Sequence, residues 1–355
     1  MLFPYKFIDH NINHLQTWID FLFVNIWCKA DKNVEYNIEL FDKCKELQEI
    51  VRKEEYKTDP SVRQVDYITG PIREIYEEFQ KLSTQQKNQL KRWYKRSNDL
   101  EKICNNQKLY NPISKNILRK YSPDLAKKIY KFYVNLYEKG LDLAVIKNQN
   151  GNLEKHYKEF VKINTNGICP FCGIDTIRSY EMNGHEAYDH FLPKENYPLY
   201  AINFKNLVPT CHDCNSTYKT RDIPIVSKNK KNKRKAFYPY SENQINLKLR
   251  LQVNIVDYKF YEHANIGIEF ITDSEKDKIK TWKETYNIES RYKDYLTNES
   301  KGKYWLVNYM DEMSAAMRNM ELTELPNRLK KNPFRGDNFL KVPFLLACDE
   351  IGLFP

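Results

Sequence analysis

Tyr188-Asp-His-Phe-Leu-Pro-Lys194 and, after a connector, Asn206-Leu-Val-Pro-Thr-Cys-His-Asp-Cys-Asn-Ser-Thr-Tyr-Lys219 are the stretch on which the fold turns, with a second cysteine pair, Cys169-Pro-Phe-Cys172, upstream. Two thiolates on one tight turn supply half of a tetrahedral metal site. Two such turns complete it, so Cys169, Cys172, Cys211 and Cys214 are expected to hold one structural Zn²⁺. A redox C-x-x-C is expected once, in a βαβ setting, and this chain has two pairs. The gap between the pairs exceeds the usual zinc-finger interval, so a folded unit must be looped out between them. Such a unit has too little core to fold alone, and metal binding supplies the missing free energy.

The looped-out residues read as a strand ending at Asp189-His190, a loop, a second strand at Leu207-Val208, and a short helix from about Cys214. Asn215 falls in the first turn of that helix, with Lys219 one turn on and on the same face. A carboxylate, an imidazole and a carboxamide oxygen are thereby brought near one point. Phosphodiester hydrolysis needs such parts: a base that works near neutrality, for which His is suited, and a hard divalent cation on oxygen ligands. A nearby Lys adds charge stabilisation. Taken singly, Asp189 and His190 are an ordinary polar pair at a strand end, and Asn206 and Asn215 are unremarkable in an Asn-rich chain. Their joint order inside a cysteine frame is what carries the reading.

The pattern D-H-F-L-P-K followed by N-L-V-P-T-C-x-x-C-N-x-x-x-K resembles the HNH (ββα-metal) nuclease family in its cysteine, zinc-binding variant. The resemblance implies that His190 is the general base and that Asn206 braces the loop that aims it. It implies that Asp189 and Asn215 hold a single catalytic Mg²⁺ or Mn²⁺, with Lys219 among the catalytic residues. The family's last position is commonly His. Asn215 stands there instead, an H-N-N variant seen in active members, and Asp213 is a further acidic candidate. The longer pattern, D-H-F-L-P-K-x-x-Y-P with N-L-V-P-x-C-x-x-C-N, is similar to nuclease subunits of Septu-type anti-phage systems, which act with an ATPase partner. The chain has no P-loop, so nucleotide-driven control would come from such a partner. The implied function is a metal-dependent endonuclease of bacterial anti-phage defence, with DNA placed ahead of RNA as substrate. Two alternatives stay open: a non-catalytic zinc module binding nucleic acid or protein, and a restriction- or homing-type HNH nuclease. The motif spans only roughly a sixth of the chain and is silent on the remainder.

The fold class expected is α+β: a mainly helical N-terminal region (1–165), a zinc-stapled ββα-metal module (166–225), a basic linker (226–240) and a mixed hairpin and helical C-terminal region (241–355). Ile72, Ile75, Tyr76, Phe79 and Leu82 follow one helix face, and Ser83 with Gln86 reads as a capping box opening the next helix. Ser122-Pro123 starts another, with Ile129, Phe132, Tyr133, Leu136 and Tyr137 as its buried stripe and Gly140 at its end. Residues 147–152 read as a loop before a helix carrying Tyr157, Phe160 and Val161. Leu247, Leu249, Leu251, Val253 and Ile255 alternate with polar residues, as do Ile266, Ile268 and Phe270, which predicts a small antiparallel sheet. The remainder, from Ile279 and Trp282 to Met320, reads as helical.

A net charge of +10 favours a polyanionic partner, although a Lys-, Asn-, Ile- and Tyr-rich composition also follows from an AT-rich genome. Lys194, Tyr218 and Arg221 are candidate nucleic-acid contacts, as are Lys230, Lys231, Lys233 and Arg234 in the basic run, whose alternative is a solvated loop. Cys28, Cys44, Cys104 and Cys348 are expected to be reduced, buried small residues. His185 and His212 read as exposed loop residues. The N-terminus lacks the pattern of a signal peptide, and the run from Phe21 to Trp27 is too short to span a bilayer, which points to a cytoplasmic protein without a membrane partner.

Overall fold

The computed structural model describes residues 1–55, 68–227, 229 and 232–354. Its architecture is α+β: helices dominate, and the described residues hold two separate two-stranded antiparallel sheets.

The N-terminal region contains α1 (His14–Phe21), α2 (Lys45–Glu55), α3 (Thr69–Gln80), α4 (Thr84–Ser97), α5 (Leu100–Cys104), α6 (Lys115–Tyr121), α7 (Pro123–Glu138), α8 (Ala144–Asn150) and α9 (Leu153–Ile163). The capping box at Ser83 and Gln86 forms as expected, each partner bonding the other's backbone N–H. Helix α7 starts at Pro123 with Ser122 as its cap and buries Ile129, Phe132, Tyr133 and Leu136. Each such large side chain contributes about 1.5–3 kcal/mol, against about 1 kcal/mol for a cap. The stripe therefore decides which face turns inward, and the cap decides where the helix begins. The chain does depart from expectation at 147–152. Residues up to Asn150 complete α8, because Val145 and buried Ile146 anchor its first turn, and the break falls only at Gly151 (φ +77°). The polar Lys-Asn-Gln-Asn composition that suggested a loop lies on a short helix, and Asn152 is the cap of α9.

Strands β1 (Tyr188–His190) and β2 (Leu207–Pro209) pair antiparallel, with Asp189 opposite Val208. A short site helix, Asp213–Lys219, follows β2 directly. The second hairpin, β3 (Lys248–Val253) and β4 (Ile266–Ile271), matches the two alternating runs. Beyond it stand α10 (Lys276–Tyr286), α11 (Ile288–Thr297), α12 (Gly302–Val307), α13 (Ala315–Lys331) and α14 (Asn338–Glu350), with α14 against β3.

The hairpin-and-cysteine region is wedged among the rest. Residues from both ends of the chain and from the cysteine motifs join one contiguous hydrophobic core, which includes Met1, Trp27, Phe171, Leu207, Trp282 and Phe344. Leu2 donates to the Pro170 carbonyl (2.9 Å) and Tyr5 to that of Pro239 (2.8 Å). The first cysteine turn is therefore held from the N-terminal side as well as from the helices that follow. Among the described residues no helix is long and apolar enough to cross a membrane.

Candidate functional site

The four cysteines come together as their spacing requires. The Sγ atoms of Cys169, Cys172, Cys211 and Cys214 lie within 4.8 Å of one another, and all four residues are buried. Zinc bonded to four sulfurs at 2.3 Å in a tetrahedron sets them about 3.8 Å apart, and Cys172 and Cys211 are separated by 3.9 Å. The cluster is thus consistent with one zinc ion. The first turn closes through Gly173, whose N–H donates to the Cys169 carbonyl at 2.7 Å. Gly173 sits at φ +71°, where a Cβ would also meet the Leu2 side chain at 2.2 Å. Only glycine makes that turn without strain. Cys28, Cys104 and Cys348 are free and buried, while Cys44 is only half-buried.

Strand β1 carries Asp189 and His190 side by side, pointing to opposite faces. Asp189 is 3 % exposed, and its Oδ1 lies 2.8 Å from the Lys219 ammonium, itself 1 % exposed. The same ammonium donates to the His190 carbonyl at 2.8 Å. Lys219 thus ties the end of the site helix to β1. Burial raises the Asp189 carboxyl above the usual range, opposed by Lys219. Its second oxygen, Oδ2, is buried and accepts no hydrogen bond among the described residues.

His190 is half-buried, its ring edge-on to Tyr137 of α7 at 4.4 Å. Its Nε2 lies 3.0 Å from the Ala201 carbonyl. A carbonyl only accepts, so Nε2 carries the hydrogen and Nδ1 is left with its lone pair. Among the described residues no hydrogen bond engages Nδ1. Burial, with the positive charges of Lys194 and Lys219, lowers the imidazole pKa to about 3 even though the Ala201 bond works the other way. The ring is therefore neutral at pH 7.

Asn206, fully buried, braces the connector between the two strands. Its Oδ1 accepts from the Leu192 N–H (2.8 Å), and its Nδ2 donates to the carbonyls of Leu192 (3.1 Å) and Tyr200 (3.2 Å). The main chain adds a bond from the Phe191 N–H to the Asn206 carbonyl. This fixes the segment that begins directly after His190 and ends at Ala201, the carbonyl that sets the imidazole's tautomer. Behind β1, buried His156 accepts or donates at Nδ1 to the Tyr188 hydroxyl (2.6 Å).

Asn215 lies in the first turn of the site helix, half-buried, one residue after Cys214. Its carbonyl accepts from Thr220 N–H in an i→i+5 bond that widens the helix, and Thr220 leaves it at positive φ. Asp213 is exposed beside His212, 3.7 Å away, and His212 is exposed as expected. His185 differs: it is half-buried, with Nδ1 2.7 Å from the Glu186 carbonyl, because its ring packs on Tyr157 and Tyr188.

The basic candidates are distributed unevenly. Lys194 stands near His190, paired with Glu138 at 2.8 Å and over the Tyr137 ring. Arg221 is exposed. Tyr218 is half-buried under a guanidinium from α11. Arg234 is engaged internally by the Pro224 carbonyl, Glu284 and Thr285, and Lys233 bonds Asn111. Lys230 and Lys231 lie outside the described residues.

Sequence reasoning missed Arg291, which donates to Cys214 Sγ at 3.2 Å, and Asp175, which receives the other arm of that guanidinium at 2.9 Å. Asp175 lies three residues after Cys172 and could have been noticed. Arg291 arrives from a distant helix with no local signal. Tyr137, placed in the helix stripe, turns out also to wall the His190 ring.

These features define a class of site: an antiparallel hairpin and a following short helix, mounted on a buried four-cysteine cluster, that presents a neutral histidine and a buried aspartate with one free oxygen. The chain is similar to the Septu protein PtuB of Bacillus thuringiensis, 33 % identical over 86 residues that make up 22 % of this chain and 32 % of that protein. It is also similar to protein ea31 of Escherichia phage lambda, 28 % identical over 110 residues, 31 % of each chain. The chain thus spans about a third of the length of the curated relatives it matches. No family model matches it, and no solved structure does.

Proposed function

We propose that the chain is a metal-dependent endonuclease of the HNH type, acting on DNA ahead of RNA, in an anti-phage defence setting. The observation that carries the reading is the state of His190. Its Nε2–H is committed to the Ala201 carbonyl, its Nδ1 is a free acceptor among the described residues, and the residue before it on β1 is a buried aspartate with one oxygen unused. An orphaned anionic oxygen in a buried position is costly unless something positive reaches it. Oxygen donors of this kind suit Mg²⁺ or Mn²⁺, which Asp189 and Asn215 would hold. Such a cation neutralises charge on the phosphate and on the departing oxygen.

His190 then takes the proton of the attacking water at Nδ1. A group near pKa 3 is always ready to accept but is a weak base, and an anionic phosphodiester beside it raises its proton affinity toward the useful range. Asn206 keeps the connector, and through it the Ala201 carbonyl, in place. Lys219, buried against Asp189, serves by holding that carboxylate rather than by reaching the phosphate. Cys169, Cys172, Cys211 and Cys214 with zinc hold the hairpin and site helix together. Lys194 and Arg221 are the basic side chains best placed to meet a nucleic-acid backbone. Similarity to a Septu protein supports the defence setting, and an ATPase partner is what the resemblance of the D-H-F-L-P-K and C-x-x-C-N pattern to Septu-type nuclease subunits implies.

The Asp189–Lys219 pair favours one other reading: because it already neutralises the carboxylate, the module could be a non-catalytic binder. Supercoiled plasmid, linear duplex and structured RNA, incubated with wild type or His190→Ala in Mg²⁺, Mn²⁺ or EDTA, separate the two. Cleavage that needs metal and disappears in His190→Ala, with zinc content unchanged, is the expected result. No cleavage by wild type, alone and with an ATPase encoded beside it, would refute the nuclease reading.

A further inference from the structure

Arg291 is 6 % exposed, an unusual place for a guanidinium. One nitrogen donates to Cys214 Sγ at 3.2 Å, the other to Asp175 Oδ2 at 2.9 Å, and the central carbon Cζ lies over the Tyr218 ring, 4.3 Å from its centroid. Tyr218 belongs to the same short helix as Asn215. The neighbouring residues of this helical pair grip the other cysteine turn: Tyr292 bonds the Cys172 carbonyl at 2.9 Å, and Trp282 of α10 bonds that of Phe171 at 2.6 Å. We propose that Arg291 is an outer-sphere partner of the zinc site, a positioning residue that supplies its counter-charge and fastens the site helix to it.

Zinc bound by four thiolates carries a net charge of −2, which is costly in a buried setting without a compensating cation. Asp175 sharpens the need, since its Oδ2 lies 3.1 Å from Cys211 Sγ, and carboxylate and thiolates would repel one another without the guanidinium that bonds both Asp175 and Cys214. A guanidinium only donates, so its bond to a metal-held thiolate has one possible direction. Asp175 occupies the second arm of the fork and thereby aims the first at sulfur, as outer-shell carboxylates aim metal-bound histidines. The cation–π contact to Tyr218 extends the same group to the helix that follows Cys214. Lysine, a point charge, can replace the charge but not the three simultaneous contacts.

The inference rests on the zinc reading of the cysteines and is independent of whether the chain cleaves nucleic acid. Its test compares zinc-loaded full-length wild type, Arg291→Lys and Arg291→Gln for the rate of zinc transfer to a chromogenic chelator. The thiolate-to-metal absorption of the cobalt-substituted proteins is read alongside. Arg291→Gln is expected to release zinc about 10- to 100-fold faster and to shift the cobalt charge-transfer band. Arg291→Lys is expected to fall between it and wild type on both measures. Wild-type rates and an unshifted band in a folded Arg291→Gln would overturn the proposal. Should that variant not fold, Arg291→Lys decides alone, and a wild-type rate there overturns it. Wild type that takes up no zinc sinks both the proposal and the zinc reading.

Discussion

Replacing Lys219 by Met tests the centre of the site, because it removes a charge and keeps the length of the side chain. In the native protein the ammonium is 1 % exposed and satisfies both Asp189 Oδ1 and the His190 carbonyl. Its loss leaves a carboxylate that is 3 % exposed and whose other oxygen already has no partner. Breaking a buried pair in this way costs about 3–5 kcal/mol. With about 2.1 cal/mol/K of unfolding entropy per residue, 355 residues lower Tm by about 4–7 °C for that loss. The double variant Lys219→Met/Asp189→Asn should recover most of the deficit, since the uncompensated charge has gone. Mn²⁺ should stabilise Lys219→Met and leave the double variant unmoved, because the cation needs the carboxylate. The pH dependence has a definite sign. Burial raises the Asp189 pKa and Lys219 opposes that rise, so removing Lys219 makes the folded carboxyl bind its proton more tightly than in wild type, and the deficit of Lys219→Met grows as pH rises and shrinks as it falls. Calorimetric unfolding of wild type, Lys219→Met and the double variant at pH 5 and pH 8 measures all of this. A Lys219→Met protein within about 1 °C of wild type, or a double variant no better than the single, refutes the buried-pair reasoning.

Two further outcomes follow from the same structure. His156 is 2 % exposed, and its pKa is lowered to about 3 by burial, then by His10. The unfolded chain takes up this proton below its ordinary pKa of about 6.5 and the folded chain does not, so stability is fully present above that pH. It then falls by about 1.4 kcal/mol per pH unit toward pH 3. His156→Gln should therefore lose about 2 kcal/mol less than wild type between pH 7 and pH 5 in urea unfolding, and equal losses would count against the assignment. Gly173→Ala should cost about 1–3 kcal/mol, from the left-handed backbone and the Leu2 contact. Because it opens the first cysteine turn, it should also speed zinc loss, and unchanged zinc retention would show that the turn tolerates a Cβ.

Much of the local structure was legible because it depends on near neighbours. The Ser83 cap, the Pro123 start, the two alternating strands and the strand–strand–helix order around the cysteines all follow from periods and offsets within a few residues. The α8 segment reads as a loop because its helix is specified by Ile146 packing inward, while the residues that follow, of which Asn148 and Gln149 are exposed, are turn-like in type. His185 reads as a surface residue because nothing nearby in the chain announces the ring of Tyr157, which comes from α9 to pack on it beside Tyr188.

By itself, then, the sequence determined which elements carry the candidate residues: the two cysteine pairs on their turns, Asp189 and His190 on the first strand, and Asn206 and Asn215 on either side of the second. Spacing encodes such placements because one hairpin and one short helix span them. Only the tertiary structure decided their electrostatic states. Oδ1 of Asp189 is taken by Lys219 while Oδ2 is free, the Ala201 carbonyl selects the tautomer of His190, and Arg291 arrives from α11 to lie against Cys214. Those states depend on burial and on partners brought in by the packing of the whole chain, which no local pattern of residues carries.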